Sequence, residues 1–159
     1  MNAANFIVVP IPTRVAALVR ETNRAPGYGH PAHTEVATGH GPCRHCLRTF
    51  HLGQEQRILF TYNPFHGLER IPFPGPIFIH AASCERYPSE AGYPRDMLQH
   101  VAVMNAFRKG QELVARKLVT EKGAHNAAVL DLLANPYVNY IEVRDLDAGC
   151  FDFRIERQG

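Results

Sequence analysis

Residues 138–157, near the C-terminus, constrain the fold of this chain more than any other segment. Residues 138–143 and 150–157 are rich in β-branched and aromatic side chains, and the turn-forming segment 145–149 separates them. Two such runs around a short turn predict a β-hairpin. The alternation in the second run predicts an apolar and a polar face, carrying Phe151, Phe153 and Ile155 on one side and Cys150, Asp152, Arg154 and Glu156 on the other.

The rest of the chain alternates short apolar strands with short helices. Strands are predicted at 6–10 (an edge strand closed by proline), 34–37, 57–62 and 77–80, and helices after an N-cap at Thr13 and over 127–134. Residues 97–107 fit both types and are predicted as a strand, whereas 113–119 stay open. The sequence predicts an α+β fold, a single domain over 1–159, with a largely antiparallel sheet, short helices and proline-rich loops.

Composition and charge exclude several classes of function. The 159 residues carry a net charge of +2, which gives no field to recruit nucleic acid or an anionic membrane. The N-terminus lacks the basic segment of a signal peptide, and no apolar run reaches the ~18 residues of a membrane-spanning helix. We therefore expect a cytoplasmic protein, in which the four cysteines are thiols or metal ligands rather than disulfides.

Residues 39–48 concentrate the chemistry of the chain. Cys43-x-x-Cys46 has the spacing that lets two thiolates bind one tetrahedral Zn²⁺. Four ligands are needed, and His80-x-x-x-Cys84 is the best second pair, because a strand end followed by a loop can turn both side chains to one point. The substitutes are Cys150 and one of the histidines His40, His45 and His51.

The same cysteines allow other interpretations. Cys43 and Cys46 could form a redox dithiol, or Cys43 could be a nucleophile beside a histidine base, since nearby Arg44 and His45 would lower a thiol pKa. Cys84 and Cys150, each considered alone, could also be small buried apolar side chains without a chemical role. The sequence therefore does not decide whether the protein is an enzyme.

Two arginines in this segment suggest an anion site. A short helix is predicted from the cysteines through Phe50, and Arg44 and Arg48 would share one of its faces. With the backbone N–H groups after Gly41, they would bind a small phosphate or carboxylate. Cys150, Asp152 and Arg154 would form the opposite wall, in which Asp152 would orient an arginine by pairing with it. The competing interpretation is that Arg44 is part of a buried structural ion pair.

Several short motifs together resemble a known family. They are Pro42-Cys43-Arg44-x-x-Leu47, Gly53-x-Glu55 before the strand 58–62, Gly75-Pro76-Ile77-Phe78-Ile79-His80, and Ala148-Gly149-Cys150-Phe151. The chain from about Gly29 onward resembles the uncharacterised bacterial domain-of-unknown-function family 1203. This resemblance implies a shared fold and site without implying a reaction.

Three classes of function follow from these patterns. The best supported is a small site on the Cys43/Cys46 segment that binds zinc, through Cys43, Cys46, His80 and Cys84, or a small anionic ligand. The second is a structural or partner-binding domain without catalytic activity. The third is a thiol-dependent enzyme.

Overall fold

The described part of the chain forms eight strands in two antiparallel sheets, with two α-helices and a short 3-10 helix at Arg95–Met97. The structure is a computed structural model, and it describes residues 6–39, 41–65 and 73–158. The elements are β1 (Phe6–Val9), α1 (Thr13–Thr22), β2 (His33–Val36), β3 (Gln56–Tyr62), β4 (Gly75–His80), β5 (Ala102–Arg108), β6 (Glu112–Val119), α2 (His125–Leu133), β7 (Tyr140–Asp145) and β8 (Phe151–Arg157). The predicted α+β class with antiparallel pairing is confirmed. No helix in these ranges is long and apolar enough to cross a membrane.

The larger sheet has five strands in the order β1-β8-β7-β5-β6. β7 and β8 pair as the predicted C-terminal hairpin, and β1 lies at the edge, as its closing proline indicates. Of the segment predicted as a strand at 97–107, residues 102–107 belong to β5, whereas 97–101 are not in a strand, because Met97 ends a short 3-10 helix (Arg95–Met97). Residues 113–119 prove to be a strand, β6. α2 packs on one face of this sheet and, with Met104, Val143 and Phe153, builds the first hydrophobic cluster.

The smaller sheet has the order β2-β3-β4 and carries the second hydrophobic cluster. Ala16 and Val19 of α1 are fully buried in this cluster with Ile77 and Ile79 of β4. The predicted N-cap is wrong by one position: Pro12 occupies it and makes no side-chain hydrogen bond, whereas Thr13 is the first helical residue. The Thr13 hydroxyl instead contacts a ring nitrogen of His45 at 2.9 Å.

A β-bulge in the C-terminal hairpin changes the predicted face of one residue. Phe153 lies opposite Val143 but Phe151 opposite Arg144, which leaves Asp152 as the extra residue between them. Phe153 consequently packs in the first cluster and Phe151 in the second. The prediction that Phe151 shares a face with Phe153 is therefore wrong, because alternation continues only where strand pairing is regular.

Candidate metal centre

The cysteine pair lies on a single tight turn rather than on the predicted helix. The backbone N–H of Leu47 donates to the carbonyl of Cys43 at 2.7 Å, which closes one helical turn. Leu47 then adopts a positive φ of 60°, and the chain leaves the helical path. Burial of the Leu47 side chain in the first cluster stabilises this unfavourable backbone conformation. Both thiols therefore lie on the same short turn.

β4 brings the second pair of residues to this loop. The Arg44 N–H donates to the carbonyl of Phe78 at 3.0 Å, which holds the turn beside the end of β4. His80 is the last residue of that strand, and its backbone N–H donates to the Cys43 sulfur at 3.3 Å. The chain then turns back, so that Cys84 lies 3.8 Å from Cys43, sulfur to sulfur.

Four side chains converge as the sequence predicts. The sulfurs of Cys43, Cys46 and Cys84 and a ring nitrogen of His80 all lie within 4.8 Å of one another. The Cys46 sulfur is 3.3 Å from His80 Nδ1. The cysteines are free thiols, since a disulfide would require sulfurs about 2.05 Å apart. The three cysteines and one histidine therefore form a cluster compatible with metal binding.

Polar groups around the cluster orient its members. Glu55 Oε2 lies 3.2 Å from His80 Nε2, the ring nitrogen that faces away from the sulfurs. Carboxylates in this position fix the tautomer and orientation of metal-binding histidines. Arg20 donates to the His80 carbonyl at 3.0 Å and to the Cys84 sulfur at 3.4 Å, and His45 Nδ1 lies 3.2 Å from the same sulfur.

The three sulfurs stabilise the protonated form of His80. Burial by itself lowers the pKa of His80, but hydrogen bonds with the three sulfurs raise that pKa to about 12. The pKa of Glu55 is lowered, because its carboxylate accepts a hydrogen bond from the His51 backbone N–H and lies beside His80. A protonated imidazole and a bound cation are stabilised by the same arrangement of sulfurs.

The predicted substitutes are not part of the cluster. The Cys150 sulfur lies 3.9 Å from the Ala148 carbonyl oxygen. His51 donates its backbone N–H, not a ring nitrogen, to the carboxylate of Glu55. His45 Nδ1 contacts the Cys84 sulfur, and its other ring nitrogen contacts Thr13, but His45 is not among the four residues of the cluster. His40 lies outside the described residues.

The residues of the predicted anion site occupy different environments. Arg44 is 2% exposed and lies 3.1 Å from Asp152, and it also donates to the carbonyls of Phe151 and Pro42. This is the buried structural ion pair of the competing interpretation. Arg48 is exposed, and Arg154 donates to Glu156 at 2.7 Å. No hydrogen bond or ion pair within 6–39, 41–65 and 73–158 joins either arginine to Arg44 or Asp152, and anion binding stays a prediction.

Sequence reasoning missed the residues that support the cluster. Glu55 and Arg20 are charged residues whose partners in the cluster lie far away along the chain, and nothing in the local pattern of Arg20 marks it. Glu55 lies 25 positions from His80, and Arg20 lies 64 positions from Cys84. The Gly53-x-Glu55 turn was visible as a motif, and its position directly before β3 was the available signal.

The fold and the cluster define an α+β protein with a buried three-cysteine, one-histidine site compatible with metal binding. The chain belongs to the DUF1203 family, proteins of unknown function, whose family model matches residues 40–157. All four residues of the cluster lie within this range. No curated protein and no solved structure matches the chain.

Proposed function

We propose that this protein is a zinc-binding domain that holds one Zn²⁺ through Cys43, Cys46, Cys84 and His80 Nδ1. The convergence of these four donor atoms within 4.8 Å carries the proposal. Three thiolates and one imidazole are a common ligand set of structural zinc sites. The bound ion would join the turn at residues 43–46, the end of β4 and the loop that follows it.

The spacing of the donor atoms fits a tetrahedral zinc ion. With Zn–S bonds of about 2.3 Å, neighbouring sulfurs of a tetrahedral site lie about 3.8 Å apart. The sulfurs of Cys43 and Cys84 are separated by 3.8 Å, and Cys46 and His80 Nδ1 by 3.3 Å. The ligand atoms therefore need only small shifts to coordinate the ion.

Burial supports a structural rather than a catalytic ion. Cys43, Cys46 and His80 are 0%, 3% and 7% exposed, and only Cys84 among the four is partly accessible. Four protein ligands fill the coordination sphere of zinc, whereas a catalytic site keeps a position for water or substrate. The hydrogen bonds from Arg20 and the His80 backbone N–H would offset the negative charge of three thiolates.

Elemental analysis of protein purified without added metal tests the proposal. We expect about one zinc per chain, in line with a four-ligand site, and its loss in Cys43→Ser and Cys84→Ser. Cys150→Ser is the matched control, because this thiol lies outside the cluster, and it should retain the ion. Metal-free wild-type protein that is fully folded would contradict the proposal, as would equal zinc content in all three variants.

A thiol-dependent activity is the second candidate, because one observation favours it. His45 Nδ1 lies 3.2 Å from the Cys84 sulfur, and Thr13 contacts the other ring nitrogen, as in a nucleophile–base–orienting group arrangement. Cys84 also lines a small cavity of about 240 Å³. Under this proposal, iodoacetamide labels Cys84 in protein as purified, and His45→Ala slows labelling. Under the zinc proposal, labelling requires prior removal of the metal.

A further inference from the structure

A second polar group in the fold is unrelated to the metal centre. Glu142 of β7 is 0% exposed, and its Oε1 accepts two hydrogen bonds from Arg144, at 2.9 and 3.2 Å. Its Oε2 has no hydrogen-bond partner within the described ranges. Burial raises the pKa of Glu142. A buried carboxylate oxygen without a partner costs free energy, and a ligand that donates a hydrogen bond would relieve that cost.

Glu142, Asn105 and Arg116 form a row of three polar side chains across the larger sheet, and Arg154 of β8 extends this row beyond Glu142 without lining the cavity described below. Strand pairing places Glu142 opposite Asn105 and Asn105 opposite Arg116. Arg116 donates to the Asn105 side-chain oxygen at 3.0 Å. With neighbouring strands about 4.8 Å apart, the row spans roughly 10 Å. It therefore has a hydrogen-bond acceptor at one end and a cation at the other.

This row faces away from α2. The preceding row contains Met104 and Val143, which pack in the cluster with α2, and Lys117, which pairs with Asp131 of α2. Because successive residues in a strand point to opposite faces, Asn105 and its neighbours lie on the other side of the sheet.

A cavity of about 650 Å³ lies over this polar row. This volume falls within the range of small-molecule sites. Three phenylalanines line it with the polar row: Phe65, Phe73 and Phe107. Phe65 and Phe107 meet edge to face with ring centroids 5.4 Å apart, and Phe73 is 63% exposed at the rim. The cavity thus combines aromatic walls with a few polar groups, and none of the four cluster residues lines it.

We propose that this cavity binds an aromatic carboxylic acid that carries a hydrogen-bond donor at the opposite end of its ring. The donor would meet Glu142 Oε2, and the carboxylate would meet the guanidinium of Arg116. Arg144 already compensates Glu142, whereas Arg116 has no ion-pair partner in the part of the chain that the structure describes. The aromatic ring would pack against Phe107 and beneath Phe73.

A series of four probes tests each part of the proposal: 4-hydroxybenzoate, benzoate, 4-methoxybenzoate and phenol. We expect 4-hydroxybenzoate to bind with a Kd below about 1 mM. Benzoate and 4-methoxybenzoate lack the hydrogen-bond donor, and phenol lacks the carboxylate. Each of these losses should weaken binding by about tenfold. Amide chemical shifts in two-dimensional NMR titrations report both the affinity and the location, and shifts should centre on Val103, Asn105 and Phe107.

Two variants separate the cavity from non-specific binding. Arg116→Ala should weaken the binding of 4-hydroxybenzoate by about tenfold. Lys117→Ala is the matched control, since it removes the neighbouring cation on the opposite face, and it should not change the affinity. Glu142→Gln should abolish the preference for 4-hydroxybenzoate over 4-methoxybenzoate. If this buried substitution prevents folding, the probe series and the Arg116→Ala and Lys117→Ala variants still decide the test.

Several outcomes would overturn the proposal. They are equal affinity for 4-hydroxybenzoate and 4-methoxybenzoate, equal effects of Arg116→Ala and Lys117→Ala, and no detectable binding of any probe at millimolar concentration. Shifts of the same amides that depend on protein concentration without ligand would also overturn it, because a second copy of the chain would then cover the cavity.

Discussion

Replacing Arg44 by methionine should destabilise the protein strongly, because it leaves the carboxylate of Asp152 buried without its cation. The two side chains are 2% and 4% exposed and 3.1 Å apart. Removing one partner of a buried ion pair costs about 3–5 kcal/mol. For a domain of this size, each kcal/mol lowers Tm by roughly 2–4 °C. We therefore expect Arg44→Met to lower Tm by roughly 6–20 °C.

The loss of stability in Arg44→Met should be larger at high pH than at low pH. Burial raises the pKa of Asp152 to about 6 from 3.8, although Arg44 opposes this change. Because the folded pKa is the higher one, the stability that this group contributes is fully present below about pH 3.8 and is lost as pH rises through about 6. Because Arg44 lowers this pKa, the Asp152 carboxyl of Arg44→Met takes up a proton at a still higher pH. At pH 5.5 the carboxyl is largely protonated in both proteins and needs no cation, so Arg44→Met should be closer to wild type at pH 5.5 than at pH 8.

Urea denaturation at both pH values gives the free energies of unfolding. Arg95→Met is the control, since it removes an exposed arginine, and it should leave the stability within about 0.5 kcal/mol of wild type. Asp152→Asn should remove most of the pH dependence. The reasoning is refuted if Arg44→Met costs less than about 1 kcal/mol at pH 8, or if its cost is the same at both pH values.

Three further results are expected. Glu55→Gln should weaken zinc binding by about 10–100-fold in a competition titration with a chelator, whereas exposed Glu121→Gln should not; equal affinities would contradict the orienting role of Glu55. Chelation with EDTA should lower Tm and expose Cys84 to iodoacetamide, and an unchanged Tm would argue against a structural ion. Phe153→Ala, at a position with 0% exposure, should lower the free energy of unfolding measured in urea by about 3–5 kcal/mol. Phe73→Ala, at 63% exposure, should lower it far less, and similar losses would contradict the core assignment.

Local patterns in the sequence predicted most strands and the grouping of the three cysteines with His80 well. Alternation and turn residues predicted the β7–β8 hairpin, and the proline after β1 predicted an edge strand. Ligand type and spacing predicted Cys43, Cys46, His80 and Cys84 as one group. These predictions succeeded because each depends on residues that are close in sequence or on a residue type with few other roles.

The sequence was misleading where long-range pairing decides the local structure. The sequence predicts a helix through the cysteine segment. The segment forms only a single helical turn, because the Arg44 backbone N–H donates to the Phe78 carbonyl and Leu47 adopts a positive φ. Alternation placed Phe151 with Phe153, but the bulge at Asp152 separates them. A register irregularity depends on both strands, so the pattern of one strand alone does not reveal it.

The sequence by itself determined that this chain forms an antiparallel α+β fold and carries four residues whose side chains could bind a metal ion together. Only the tertiary structure decided how Arg44 and Glu55 act. Arg44 is enclosed with Asp152, and Glu55 reaches His80 because β3 and β4 pair side by side. Burial and charge pairing arise from contacts between residues far apart in the chain, and a periodic pattern carries no information about such contacts.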